Sequence, residues 1–228
     1  MKKFKYLLLL IPAVMLLPAF VVYNSFPPAE SVAIVTKTVN DVKYKSGGSG
    51  WSDLKNGSAL QNSDEIKTGD KSLALVKFTD NSVLRVRDNS MVKIFAEKTG
   101  KNVSKTTEIN SGTVGFNVTK QDQNDFKFNT PTLVASIRGT GGLVQGGDDQ
   151  GLVAIEEGSV FVEAIYGNRQ TGMVPAGTFV YITKEGDVTV LPFNNTIQNL
   201  INNSKKTNVK KLIIKTDSGD LIIEYFVD

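Results

Sequence analysis

Arg138-Gly139-Thr140 is the chemically most distinctive triplet in the sequence: a lone guanidinium closing an apolar run, then a glycine and a hydroxyl. Exposed, such an arginine suits an anion or a protein partner, because its planar fork binds carboxylate or phosphate through two parallel hydrogen bonds. Half-buried, the same fork satisfies backbone carbonyls where strands meet. The second role is favoured, since Val134, Ala135 and Ile137 read as core. On that reading Arg138→Ala harms stability more than binding. Thr130-Pro131 sets the extended approach to the run, because proline fixes φ and holds its predecessor out of the helical region. Trp51, with Leu54 and Leu60, reads as a core anchor, an exposed sugar-stacking ring being the alternative.

The remaining residue types exclude more chemistry than they suggest. The chain has no His and no Cys. That removes the commonest general base, the commonest nitrogen ligand and all thiol chemistry. Glu156 and Glu157 are neighbours on a strand-like run, point to opposite faces and make a poor acid/base pair. Asp148-Asp149 sit in a Gly-rich turn without the further oxygen ligands that Ca²⁺ needs. Residues 139–142 lack the following Lys and helical pattern of a phosphate loop. No Ser stands in a recognisable nucleophile motif. No catalytic residue, metal or cofactor is expected, and no enzyme. The 26 Lys and Arg exceed the 23 Asp and Glu only through Lys2, Lys3 and Lys5, which precede the first acid, Glu30. The balanced remainder argues against a nucleic-acid partner. Lys205-Lys206 and Lys210-Lys211 read as solvated loop residues ahead of contacts to an anionic polymer.

The elements that position these residues follow an export segment. Three lysines in residues 1–5 precede the apolar residues 6–22, a pattern that keeps the positive end inside and carries the rest across a membrane. The run is at the short end of a span of about 17–25 residues. No small-x-small cleavage pattern follows it, so an uncleaved anchor over 1–23 is favoured over a removed signal. Residues 24–35, with Pro27-Pro28, read as a spacer.

Over 36–192 one pattern recurs: a turn former, then Ser or Thr, then alternating apolar residues, as from Gly57, Asn81, Gly112, Gly158 and Gly177. Gly or Asn accepts positive φ, and a short strand follows. The spacing of these signals is irregular, so the expected fold is all-β: an irregular β-solenoid or sandwich-like stack of short strands. Two hairpins are predicted, one over residues 72–86 turning at Asp80-Asn81, the other over 152–162. Polar residues 97–108 and 120–125 read as exposed loops, and 146–151 as a tight acidic turn. Residues 193–228 form an appendage: a short helix carrying Ile197, Leu200 and Ile201, then a β-hairpin, capping an open end of the stack. The alternative is a docking module.

An ordered set of motifs carries a resemblance. It comprises Trp51-x-x-Leu-x-x-Gly-x-x-Leu60, Ile66-Lys-Thr68, Ala74 to Leu84, Gly112-Thr-Val114, Thr130-Pro131, Ile137-Arg-Gly-Thr140 and Glu157-Gly-Ser-Val160. Together they resemble the FecR-type domain over roughly residues 35–182. The resemblance implies an exported all-β domain; the best-known members relay an iron-uptake signal across the envelope to a sigma factor. Five residues ahead of the apolar run are too few for the cytoplasmic anti-sigma region of those regulators. The expected function is therefore a non-catalytic, membrane-anchored envelope protein that binds another protein or an envelope polymer. A regulatory or sensor subunit of a transmembrane signalling system is the alternative; a carbohydrate-active enzyme is the weakest.

Overall fold

Alternation of apolar and polar residues between turn formers builds extended segments that each bury one face. The computed structural model describes residues 31–99, 102–120, 126–216 and 219–227. In chain order the strands begin with β1 (Ala33–Val39), β2 (Val42–Lys45), β3 (Ser52–Asp53), β4 (Ala59–Leu60), β5 (Glu65–Thr68) and β6 (Leu73–Phe78). Then come β7 (Val83–Val86), β8 (Met91–Thr99), β9 (Asn102–Asn117), β10 (Phe126–Asn129), β11 (Leu133–Ile137) and β12 (Gly141–Gly146). The body ends with β13 (Gln150–Glu157), β14 (Ser159–Ala164), β15 (Thr171–Pro175), β16 (Thr178–Thr183) and β17 (Thr189–Pro192). A helix, α1 (Asn195–Lys205), and a hairpin, β18 (Asn208–Thr216) and β19 (Gly219–Val227), follow.

The 17 strands of the body fall into two sheets that share β9. The first runs β4-β1-β6-β7-β9-β12-β13-β16-β17 and is antiparallel throughout. The second runs β3-β2-β5-β8-β9-β10-β11-β14-β15, with β9 and β10 as its parallel pair. Among the described residues the fold is thus mostly β with one helix, and it is not a closed barrel. The sheets face each other across one core. Phe116 of the first and Phe128 of the second have ring centroids 5.0 Å apart, and Phe78 meets Phe126 edge-on at 5.3 Å. Leu84, Val144 and Val153 of the first sheet and Ile66, Ile94 and Val160 of the second are buried around these rings.

One residue lets β9 serve both sheets. Before Gly112 the strand pairs with β8 in the second sheet; from Gly112 onward it pairs with β12, and from Val114 with β7, in the first. Gly112 has φ +90°, and a Cβ there would lie 2.2 Å from Ser90 Oγ. A side chain would meet both backbone strain and a buried neighbour. The corner is stitched by hydroxyls: Ser90 Oγ accepts from Thr113 N–H at 2.9 Å, and Thr68 Oγ1 accepts from Ser90 N–H at 2.9 Å. Nearby, the nearly buried Lys105 Nζ pairs with Asp80 at 2.6 Å, joining the β6–β7 turn to the second-sheet half of β9.

Several sequence expectations meet this architecture directly. The hairpin over 72–86 is present, with Asn81 at φ 68° in its turn. The one expected over 152–162 is not a hairpin. Gly158, at φ +79°, turns the chain out of the first sheet and into the second; β13 pairs with β12 and β16, and β14 with β11 and β15. Residues within 97–108, expected as a loop, extend β8 and β9, because Lys105, Thr107 and Ile109 point inward at strand spacing and are buried. β1 starts at Ala33, inside the expected spacer, since Ala33 and Val35 already fill the core. The expected membrane segment lies outside the described residues; among those, no helix is long and apolar enough to cross a membrane.

The helix of the C-terminal appendage lies on a face of the first sheet. Ile197 and Ile201 of α1 pack on Leu143, Leu152, Ala154 and Phe179, the outward residues of the first sheet. Asn194 Oδ1 caps the helix by accepting from Ile197 N–H at 2.9 Å. At its far end Arg85 Nε donates to Ser204 O at 3.2 Å and Arg87 to Lys206 O at 2.6 Å, while Lys205 pairs with Glu156. Burial holds both guanidinium pKa values below the ordinary arginine value. Gly115 lets this helix end approach closely: a Cβ there would stand 3.1 Å from Ser204 Oγ.

The corner at Gly112 predicts that Gly112→Val lowers stability by about 3 kcal/mol or more, from left-handed strain plus overpacking, read as a lost or strongly shifted urea transition. Asp80→Ala leaves Lys105 buried without its partner and is expected to cost about 3 kcal/mol in the same measurement.

Candidate functional site

The two outer faces of the body differ. α1 covers part of the first sheet's outer face, over Leu143, Leu152, Ala154 and Phe179, while Ile34, Tyr181 and Leu191 of that sheet stay exposed. Among the described residues no helix covers the second sheet's outer face, and pairing lays its outward residues in rows. One row crosses six strands in register: Phe95 (β8), Thr106 (β9), Lys127 (β10), Ser136 (β11), Phe161 (β14) and Met173 (β15). Phe161 is 42% and Met173 54% exposed, and the two are cross-strand neighbours in this row. The next row holds Glu65, Lys93 and Glu108, with Lys45 and Lys93 both within ion-pair distance of Glu65 at 3.7 and 3.9 Å.

Two shallow depressions of about 420 Å³ each flank Lys127. One is lined by Phe95, Glu97, Ser104, Thr106 and Glu108; the other by Ser136, Ile137, Arg138, Ser159, Phe161 and Met173. The second combines an apolar floor with two cations, Lys127 and Arg138, and two hydroxyls. Such a mixture can hold an extended segment or a polar-fringed apolar knob of a partner by contact and charge. Among the described residues no group of His, Cys, Asp or Glu could hold a metal ion.

The residues singled out from sequence divide between this face and the core behind it. Arg138 is exposed and lines the depression, which corrects the half-buried role expected of it. It follows Ile137, the last inward residue of β11, so the chain has left the sheet before the guanidinium begins. Gly139, at φ +60°, presses on Lys120; a Cβ would lie 2.6 Å from that residue's Cβ. Thr140 is buried, and its carbonyl accepts from Val118 N–H at 2.9 Å. Thr130 and Pro131, expected as an extended approach, lie instead in the turn that reverses the chain between β10 and β11: Thr130 Oγ1 accepts from Leu133 N–H at 3.1 Å and Thr132 N–H at 3.2 Å. Val134, expected in the core, is half-buried on the outer face, because the strand phase is set by Leu133, Ala135 and Ile137. Leu54 and Leu60 are core residues, but Trp51 is 40% exposed with Lys45 Nζ 6.0 Å from its ring centre. It lies before β3 in a Gly-rich turn region and corrects the core-anchor expectation.

Sequence reasoning missed Phe95, Lys127, Phe161 and Met173. A signal existed: Phe161 sits between inward Val160 and Val162, and Met173 precedes inward Val174. Each is an apolar residue out of phase with the burial alternation.

Residues 64–161 match the family model described as FecR protein. Two crystal structures of a "putative anti-sigma factor" from Parabacteroides distasonis ATCC 8503, at 1.65 and 2.50 Å resolution, are similar to this chain. Each aligns at 16% identity with a TM-score of 0.50, over 60% of this chain and 62% of the other. At that identity the likeness shows the fold, and this chain spans less than two thirds of those proteins' chains. No curated protein matches the chain.

Two variants separate the surface from the turn. Arg138→Ala is expected to change stability by no more than about 0.5 kcal/mol, as for other surface substitutions. Thr130→Val strands two buried backbone donors and is expected to cost about 2 kcal/mol, both read from chemical denaturation.

Proposed function

We propose that this chain, which carries a FecR-type domain, is a non-enzymatic regulatory subunit of the cell envelope that docks another protein on the bare face of its second sheet. Residues 1–23 anchor it, with the β body on the extracytoplasmic side. The alternation of the chain between the two sheets supports reading the body as an irregular, solenoid-like β-stack. The observation that carries the proposal is the asymmetry of the outer faces. The fold spends its one helix on the first sheet and leaves Phe161, Met173, Lys127 and Arg138 uncovered on the second. The matched family and the named anti-sigma neighbours support a role in signalling rather than catalysis. In this reading the partner is a separate membrane protein. Exposed Trp51, with Lys45 over its ring, favours a second reading in which the partner is an envelope polymer stacked on the indole.

A photo-crosslinking residue placed at Phe161 or Met173 of the full chain in its native cells is expected to give a discrete adduct with one membrane protein. The same residue at Asn202, on the exposed side of α1, is expected to give none. Adding Arg138→Glu should weaken the adduct at least several-fold. Equal labelling from all three positions would sink the docking face, and adducts with polymer that vanish in Trp51→Ala would favour the second reading.

A further inference from the structure

The C-terminal hairpin is an element that the rest of the fold leaves largely bare. β18 and β19 pair with each other and, among the described residues, with no other strand. The register places Lys210, Leu212, Ile214, Leu221 and Tyr225 on one face. Leu212, Ile214, Leu221 and Tyr225 are 49%, 42%, 52% and 47% exposed. The hairpin meets the body at its root: Arg87 lies 4.4 Å from the Phe226 ring centre, and Lys37 Nζ donates to Asn208 Oδ1 at 3.0 Å. A two-stranded ribbon is marginal in water by itself, and an apolar sheet face of this kind marks a contact surface.

We infer that this face rests on a lipid bilayer, with the hairpin lying flat at headgroup level. Size argues against a protein or a second copy. Nine-residue strands make a ribbon roughly 30 Å by 10 Å, or about 300 Å², well under the ~800 Å² per partner of a specific protein interface. A bilayer sets no such minimum area, because binding grows with buried apolar surface plus charge. Residue type agrees with lipid. On this face aliphatic residues flanked by Tyr225 and Lys210 suit the headgroup zone, while the register sets Lys211 and Lys215 opposite Glu224 and Asp220. The free strand edges need water, so the hairpin lies in the interface and does not span. Reach agrees too. The apolar run ends at Val22, and the eight residues 23–30 before Ser31 extend at most about 30 Å. β1 then leads directly to Lys37, at the hairpin root. A tether of this kind raises the effective concentration of a weak surface contact. The inference rests on residues 1–23 being an anchor.

The test places Leu212→Trp in a Trp51→Phe background of the full chain, in vesicles of phosphatidylcholine and phosphatidylglycerol. Bromines sit on the acyl chains about 5–10 Å below the surface, the depth reached by interfacial elements. Flotation reports the anchor, and tryptophan emission reports the hairpin. The expected result is flotation together with a blue shift and bromine quenching, both lost on adding Ile214→Asp and Leu221→Asp while the melting temperature holds. Flotation with unshifted, unquenched emission overturns the inference and leaves the anchor intact. Absence of flotation overturns both. A blue shift that depends on protein concentration in detergent without lipid assigns the face to a second copy and overturns the lipid contact.

Discussion

Everything in the body depends on the bend of β9 at Gly112. A strand that pairs in one sheet and then in another must change direction without losing its ladder, and at φ +90° only glycine does so without strain. Ser90 and Thr68 occupy the inside of the corner and take up the backbone groups that the change of direction exposes. Because β9 holds the centre of both sheets, the bend fixes how they face each other. Phe116 and Phe128 then meet across the core with their rings tilted by 42°.

The same arrangement explains why the two outer faces differ. The first sheet turns apolar residues outward, Leu143, Leu152 and Phe179, and these require a cover. Residues 195–205 supply it as an amphipathic helix whose end is held by Arg85 and Arg87. The second sheet turns out a mixed row of apolar, hydroxyl and cationic residues, stable in water yet suited to a partner.

The carboxylates follow structural roles. Glu156 pairs with Lys205 on α1, Asp80 with Lys105 in the core, and Asp149 with Lys184 at the surface, where that hydrogen bond lowers the Asp149 pKa and raises that of the lysine. These acids hold elements together, one pair at a time, and do not converge on a cleft.

The sequence by itself determined the class of fold, the turn at Asn81, the short helix and the C-terminal hairpin. These features are local: alternation, φ preference and side-chain capping act over a few residues. It also carried the ordered motifs of the FecR-type domain. The sheet to which each strand belongs was decided only in three dimensions. Gly158 looks the same in a hairpin as at a crossing between sheets, and the strand phase around β11 depends on which neighbours pair. For that reason Arg138 was placed half inside and Trp51 in the core, whereas both stand at the surface. The bare row through Phe161 and Met173 exists only because five distant pairings bring six strands into register, and a linear pattern holds no record of register.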